Sequence, residues 1–218
     1  CWWSDARAAE PGDTPSSQYQ AIMNNTFTGR HVGDGARAAA GQVGKNAGPT
    51  VTPVRSRAQI ARVAALAQAI WTDHYTPIIG PAQVAYMLAT FQSKAAIAAQ
   101  IAEGGYAYYL VTLGNDAVGY MAVVPGEDRN RLMLSKLYVR RDCRGRGVGR
   151  AMLAFAEQLG REQNRRTLWL TVNRHNRTSI AWYRRMGFRK RGDLRQAIGA
   201  GFVMDDFFQS NGRGALAP

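Results

Sequence analysis

Cysteine is nearly absent from this chain: 218 residues contain two, Cys1 and Cys143. Two distant thiols, with no CxxC or His/Cys spacing around them, build neither a disulfide framework nor a zinc site, so no metal is expected. Long apolar runs are missing too. No stretch approaches the roughly 18 residues of a spanning helix, and the N-terminus lacks the apolar core of a secretory signal, so the expectation is a cytoplasmic protein without a membrane partner. Acidic side chains are scarce, with 15 Asp and Glu against 28 Lys and Arg and a net charge of +13. What is plentiful is core material: 46% of residues are hydrophobic, enough for one globular domain.

The positive charge is local. Residues 1–50 carry four basic and four acidic side chains, whereas residues 140–195 carry sixteen basic and four acidic, a net +12. A patch of that kind attracts an anion, whether a phosphorylated cofactor, a nucleic acid or an acidic partner.

Residues 1–50, rich in Gly, Ala and Ser/Thr without sustained periodicity, are predicted to be a disordered or non-native extension. The chain opens on Cys1 rather than Met, which is compatible with a fragment or with a start at Met23. A domain is expected over 51–218. Ile60, Val63, Ala64, Ala67, Ile70 and Trp71 recur at helical spacing and predict a helix over about 56–72. Pro81 opens a second helix, expected to reach Glu103 before Gly104 and Gly105. A brief strand at 51–54, a meander of three strands over about 106–139, a helix from Val148, a strand "TLWLTV" at 167–172, a short helix from Thr178 to Met186 and a closing hairpin complete the reading. This is a mixed α/β chain with a parallel crossover from the third meander strand to "TLWLTV".

The segment "RRDCRGRGVGRAML", residues 140–153, holds three glycines and five arginines and leads directly into an amphipathic helix. A helix N-terminus presents unpaired N–H groups and partial positive charge, and glycines let a phosphate approach them closely. No Lys-Ser/Thr follows the last glycine, and the spacing is not that of the dinucleotide fingerprint, so neither nucleotide loop is indicated. Arg144, Arg146 and Arg150 add charged donors suited to a pyrophosphate.

The strand "LSKLYV", the R-x-x-G-x-G of Arg144 to Gly149, the helix after it and then "LTVNRHNRTSIAWYRRMGF" together resemble the GNAT superfamily of acetyl-CoA-dependent N-acetyltransferases. The resemblance follows element order over 51–209 and is motif-specific over about 132–188. It implies a GNAT-like fold, a central mixed and mostly antiparallel sheet flanked by helices, with two parallel strands splayed at the cofactor. It further implies that Leu137, Tyr138 and Val139 hold the acetyl and pantetheine groups. Arg144, Gly145, Arg146, Gly147, Val148, Gly149 and Arg150 would surround the pyrophosphate, and Asn173 would mark the splay. Asn176 and Ser179 would bond the cofactor, with Tyr183 as general acid. Homodimers are common among relatives.

Relatives place a carboxylate near Ser135 or Lys136 to take the amine proton, and this chain has none there. Asp73, His74, Glu103 or a water chain remain open as the base, with His74 singled out because it is expected in the connection between the first two helices. Asp205 and Asp206 could attract a cationic amine. Tyr75, Tyr86, Phe91, Tyr106, Tyr108, Phe202 and Phe207 are wall or core. Arginines near Cys143 could lower its thiol pKa, but the thiol is read as space-filling. The leading expectation is acetyl transfer from acetyl-CoA to a primary amine of a small molecule, by direct attack in a ternary complex. The alternatives are a protein N-terminal or lysine acetyltransferase, a retained fold that binds CoA without turnover, and a nucleic-acid-binding protein.

Overall fold

The computed structural model describes residues 48–212 apart from Glu127. Residues 1–47, most of the predicted extension, lie outside the described residues. Strand β1 (Thr50–Pro53) precedes three helices, α1 (Arg57–Ile79), α2 (Pro81–Phe91) and α3 (Lys94–Ala102). The meander β2 (Ala107–Leu113), β3 (Asp116–Pro125) and β4 (Arg131–Val139) follows, then α4 (Val148–Glu162), β5 (Thr167–Asn173), α5 (Arg177–Arg185), β6 (Arg189–Gly199) and β7 (Phe202–Ser210).

Helix α1 begins in a capping box, where Ser56 Oγ accepts from the Gln59 N–H and Gln59 Oε1 accepts from the Ser56 N–H. Instead of stopping near residue 72 it runs through Pro77 to Ile79. A proline this close to the end removes one bond without disrupting the turns before it, and Gly80, at φ 82°, closes the helix with its N–H on Thr76 O. His74 and Tyr75 therefore lie on a helix rather than in a connection. The single helix expected over 81–103 is two. The chain breaks at Gln92–Ser93, because Ser93 Oγ caps Ala96 N–H while the Gln92 side chain turns inward to accept from Tyr120 Oη at 3.2 Å.

The seven strands are ordered β1-β2-β3-β4-β5-β7-β6, antiparallel throughout except for β4 and β5. Helices α1 to α3 cover one face, burying Val63, Ile70, Trp71, Met87 and Ile97 against Tyr108, Tyr120 and Met133. Helices α4 and α5 cover the other, with Met152, Leu153, Tyr183 and Phe188 against Val111, Leu132, Leu134 and Leu170. Each such buried apolar side chain contributes roughly 1.5–3 kcal/mol.

Two departures from regular sheet matter for function. The β4–β5 ladder holds only Arg131–Thr167, Leu132–Leu168 and Met133–Trp169, after which the strands part. On the other side of β4, Lys136 stands opposite Ala122 while Leu134 stands opposite Val123, so Ser135 is an extra residue, a bulge. Close approach marks the far end of this pair: a Cβ at Gly119 would lie 2.5 Å from Tyr138 O. Gly119→Ala is expected to cost about 1–3 kcal/mol of stability by forcing β3 from β4; a denaturant melt with an unchanged midpoint would contradict this packing.

Candidate active site

The glycine-rich loop closes off β4. Arg141–Cys143 makes one 3-10 turn, and Gly145 and Gly147 take φ of 75° and 82°, a region that L side chains enter only with strain. Gly147 is the N-cap of α4 and supplies no side-chain cap, so the first N–H groups of that helix have no side-chain acceptor. A Cβ at Gly145 or Gly147 would meet nothing within 4 Å, so the cradle is open. Arg144, Arg146 and Arg150 are all exposed beside it, and Arg144 is in addition tied down, with Nε donating to Val139 O at 3.1 Å and Nη1 lying 3.3 Å from His74 Nδ1. A second tie, Arg141 to Asp73 at 3.2 Å, also joins the loop to α1.

Beyond Met133 and Trp169 the facing edges of β4 and β5 have no partner in each other. Leu137, Tyr138 and Val139 occupy one edge of this opening and Asn173 ends the other. An uncapped helix N-terminus with flanking arginines suits a pyrophosphate, and a parted strand pair with free backbone groups suits an extended amide-bearing arm. The residues present fit coenzyme A.

Tyrosines gather at the opening. The Tyr75 hydroxyl accepts from Asn176 Nδ2 at 3.4 Å and is hydrogen-bonded to Tyr138, with Asp206 near enough to act on it. Burial, then Asp206, pushes Tyr75 up to about 12. Tyr183, buried on α5 between Trp182 and Phe188, is pushed up by burial and then by Tyr75. Asn176 is the N-cap of α5, its Oδ1 accepting from the Ser179 N–H, so α5 is tied to α1 through Tyr75. His74 is drawn down by burial and then by Arg144. It is bonded into the loop and does not line the cavity described next.

That cavity, about 90 Å³, lies on the α1–α2 side of the opening. Trp71 and Tyr75 from α1, Met87 and Phe91 from α2, Ser135 and Lys136 from β4, and Asp206 from β7 contribute to its walls. Tyr75 and Phe91 are thus walls among the aromatic candidates, while Tyr106 and Tyr108 belong to the core. Asp206 stands opposite Asn173 in the β5–β7 ladder and is 5% exposed. Burial pushes its carboxyl up to about 6 against a pull from its Thr171 hydrogen bond. Asp205, its neighbour, faces the other way and pairs with Arg174 at 2.6 Å. Lys136 and Asp206 are the two functional candidates that sequence reasoning left without a role or undistinguished from a neighbour. Cys143 is buried, and that burial raises its thiol pKa, opposite to the lowering that nearby arginines suggested. Among the described residues no cluster of three or more His, Cys, Asp or Glu forms, and no helix is long and apolar enough to cross a membrane.

A sheet parted at its one parallel pair, next to a glycine-rich helix N-terminus, defines the class as a CoA-type acyltransferase fold, and the comparisons give the family. Residues 65–188 match the acetyltransferase (GNAT) family, so the chain belongs to that family and is an N-acetyltransferase. It is 25% identical over 132 residues to an uncharacterized N-acetyltransferase in the pepI 3′ region of Lactobacillus delbrueckii subsp. lactis, covering 58% of this chain and 76% of that one. It is 35% identical over 81 residues to streptothricin acetyltransferase of Streptomyces lavendulae, covering 37% of this chain and 43% of the relative, less than half its length. Among solved structures, the PaiA N-acetyltransferase of Thermoplasma acidophilum in complex with coenzyme A superimposes with a TM-score of 0.62 at 15% identity, over 76% of this chain and 99% of that one. A GCN5-related N-acetyltransferase from Rhodopseudomonas palustris gives 0.63 at 17%, over 76% and 96%. These two likenesses support the fold.

Proposed function

We propose that this enzyme transfers an acetyl group from acetyl-CoA to a primary amine of a small molecule bound in the α1–α2 cavity, by direct attack in a ternary complex. The observation that carries the reading is Asp206, a buried carboxylate in the wall of a small cavity that meets the β4–β5 opening. When bound, acetyl-CoA supplies a thioester whose carbonyl carbon accepts an amine and whose sulfur leaves as a thiolate.

The chain's own groups then have assigned tasks. Loop residues Arg144 to Arg150 and the α4 N-terminus hold the pyrophosphate, with Arg146 and Arg150 as charged donors. Backbone groups of Leu137 to Val139, on the free edge of β4, hold the acyl arm and steady charge developing on its oxygen. Asp206 attracts the acceptor's ammonium and takes its proton on a carboxylate oxygen, which supplies from β7 the base that β4 lacks. This assignment displaces His74, whose ring is engaged with Arg144 and Asn176; its role becomes positioning the loop. Tyr183 Oη, kept protonated by burial, donates to the departing sulfur. Asn176 and Ser179 fix the start of α5 and so the place of Tyr183.

Acetyl-CoA turnover against a panel of small primary amines tests the reading, and CoA binding with no amine acetylated would overturn it. Tyr183→Phe is expected to lower kcat roughly 10²–10⁴-fold with little change in CoA affinity by calorimetry. An equal loss of CoA binding would make the tyrosine structural.

A further inference from the structure

Among the described residues, Lys136 has no counter-charge. It is 6% exposed and lines the acceptor cavity, yet among the described residues it forms no ion pair or hydrogen bond. Its Nζ lies instead 4.8 Å from the ring centroid of Tyr106 and 5.3 Å from that of Tyr108. The bulge at Ser135 puts the lysine on this face of the sheet, in line with Ala122 and, beyond it, Tyr108.

Lysine is almost never buried without a counter-charge, because water solvates an ammonium far better than a protein interior does. Burial here draws its pKa down to about 7, with the tyrosine faces as its remaining support. Asp206 shares the cavity but does not pair with it. Two buried opposite charges that share a cavity without meeting are complementary to a molecule carrying both signs.

We propose that the acceptor is a small zwitterion, an amine that also bears a carboxylate or similar compact oxyanion, with the anion on Lys136 and the amine at Asp206. Amino acids and their close analogues are then the substrate class. The inference rests on the amine acetylation proposed above and names its acceptor. The small volume of the cavity agrees with a molecule of this size, and the anion would restore to the lysine the interaction that burial removed.

The chain has four lysines, Lys45, Lys94, Lys136 and Lys190, so a protein labelled with 13Cε-lysine gives few resonances to assign. Formate, the smallest carboxylate, is the probe. It is expected to raise the pKa of Lys136 and leave the other three unchanged, whereas a Lys136 titration indifferent to formate overturns the anion site. In the second arm, L-amino acids and their amides are compared as acceptors. The acids are expected to show roughly 10- to 100-fold higher kcat/KM, the range of a charged hydrogen bond. Lys136→Met, which matches the stem in bulk, should bring the acid-to-amide ratio close to one. An equal loss for acids and amides would make the lysine a proton acceptor and overturn its role in specificity. A formate response with no amine acetylated would leave the anion site standing and remove the acetyl-transfer reading; acetylation of amides in preference to acids would do the reverse.

Discussion

Gly147→Asp and Gly149→Asp, made together, are expected to weaken acetyl-CoA binding by more than about 100-fold, a loss of roughly 3 kcal/mol, and to abolish turnover at ordinary cofactor concentrations. The two positions act differently. Gly147 is the α4 N-cap in the left-handed region, where aspartate is tolerated with modest strain. Once there, its carboxylate becomes the missing side-chain cap and occupies N–H groups that a pyrophosphate would use. Gly149 sits against Trp182, its added Cβ 3.4 Å from the ring, so a side chain there presses α4 on α5 and adds a second negative charge at the first turn. Capping charge favours the helix even as it repels the ligand, which separates this prediction from simple unfolding. Calorimetric titration with acetyl-CoA, next to a thermal melt, checks it: a near-parental melting temperature with binding lost is the expected pair. Retained affinity in the folded variant would move the pyrophosphate elsewhere. An alternative for an anion is the groove of about 580 Å³ between α5 and the β6–β7 hairpin, whose lining includes Arg174, Arg177, Arg184, Arg185, Arg189 and Phe207.

The loop was legible in the sequence because its chemistry is local. Glycine at fixed offsets, arginine between them and a helical period after them need no tertiary information. The same holds for the order of strands along the chain and for the parallel crossover between β4 and β5. Boundaries set by weak local signals were not legible. The helical spacing of apolar residues runs only to Trp71, but a proline near a helix end costs little, so α1 carries on through Pro77 and takes His74 out of a connection. The break inside the single helix expected over 81–103 has no strong local signal, and it is the cap at Ser93 with the burial of Gln92 beside Tyr120 that shows a new helix beginning there. Lys136 and Asp206 were hidden for another reason. Alternation along β4 is broken by the extra residue Ser135, which reverses the facing of Lys136 and of every residue after it. In "MDDFFQ", alternation says that one aspartate faces each way, but which of the two faces the cavity depends on how β7 inserts between β5 and β6.

Asp206→Asn should separate activity from stability, raising one as it removes the other. Burial holds the native carboxyl at about 6 against an ordinary 3.8, with Asp205 adding to the rise and Thr171 opposing it. A raised carboxyl binds its proton more tightly in the folded chain than in the unfolded one. Its contribution to stability is therefore greatest below about pH 4 and falls as pH rises to about 6, by about 3 kcal/mol for a shift of this size. D206N carries no such charge, so its stability relative to the parent should climb across that window and stay level above it. Activity runs the other way. If Asp206 takes the amine proton, kcat/KM of the parent rises as the carboxylate forms near pH 6, while D206N shows a low rate, down roughly 10²–10⁴-fold, without that rise. Matched denaturant melts and pH–rate profiles of both proteins decide the matter. A variant that loses the rate without gaining stability above pH 6 would mean that the native carboxylate is held by its neighbours as an anion; one that gains stability and keeps the rate would place the base on another residue. The combination expected is a protein that stands up better at neutral pH and no longer works there, because on the proposed mechanism the carboxylate that costs stability in that wall is the group that takes the amine proton.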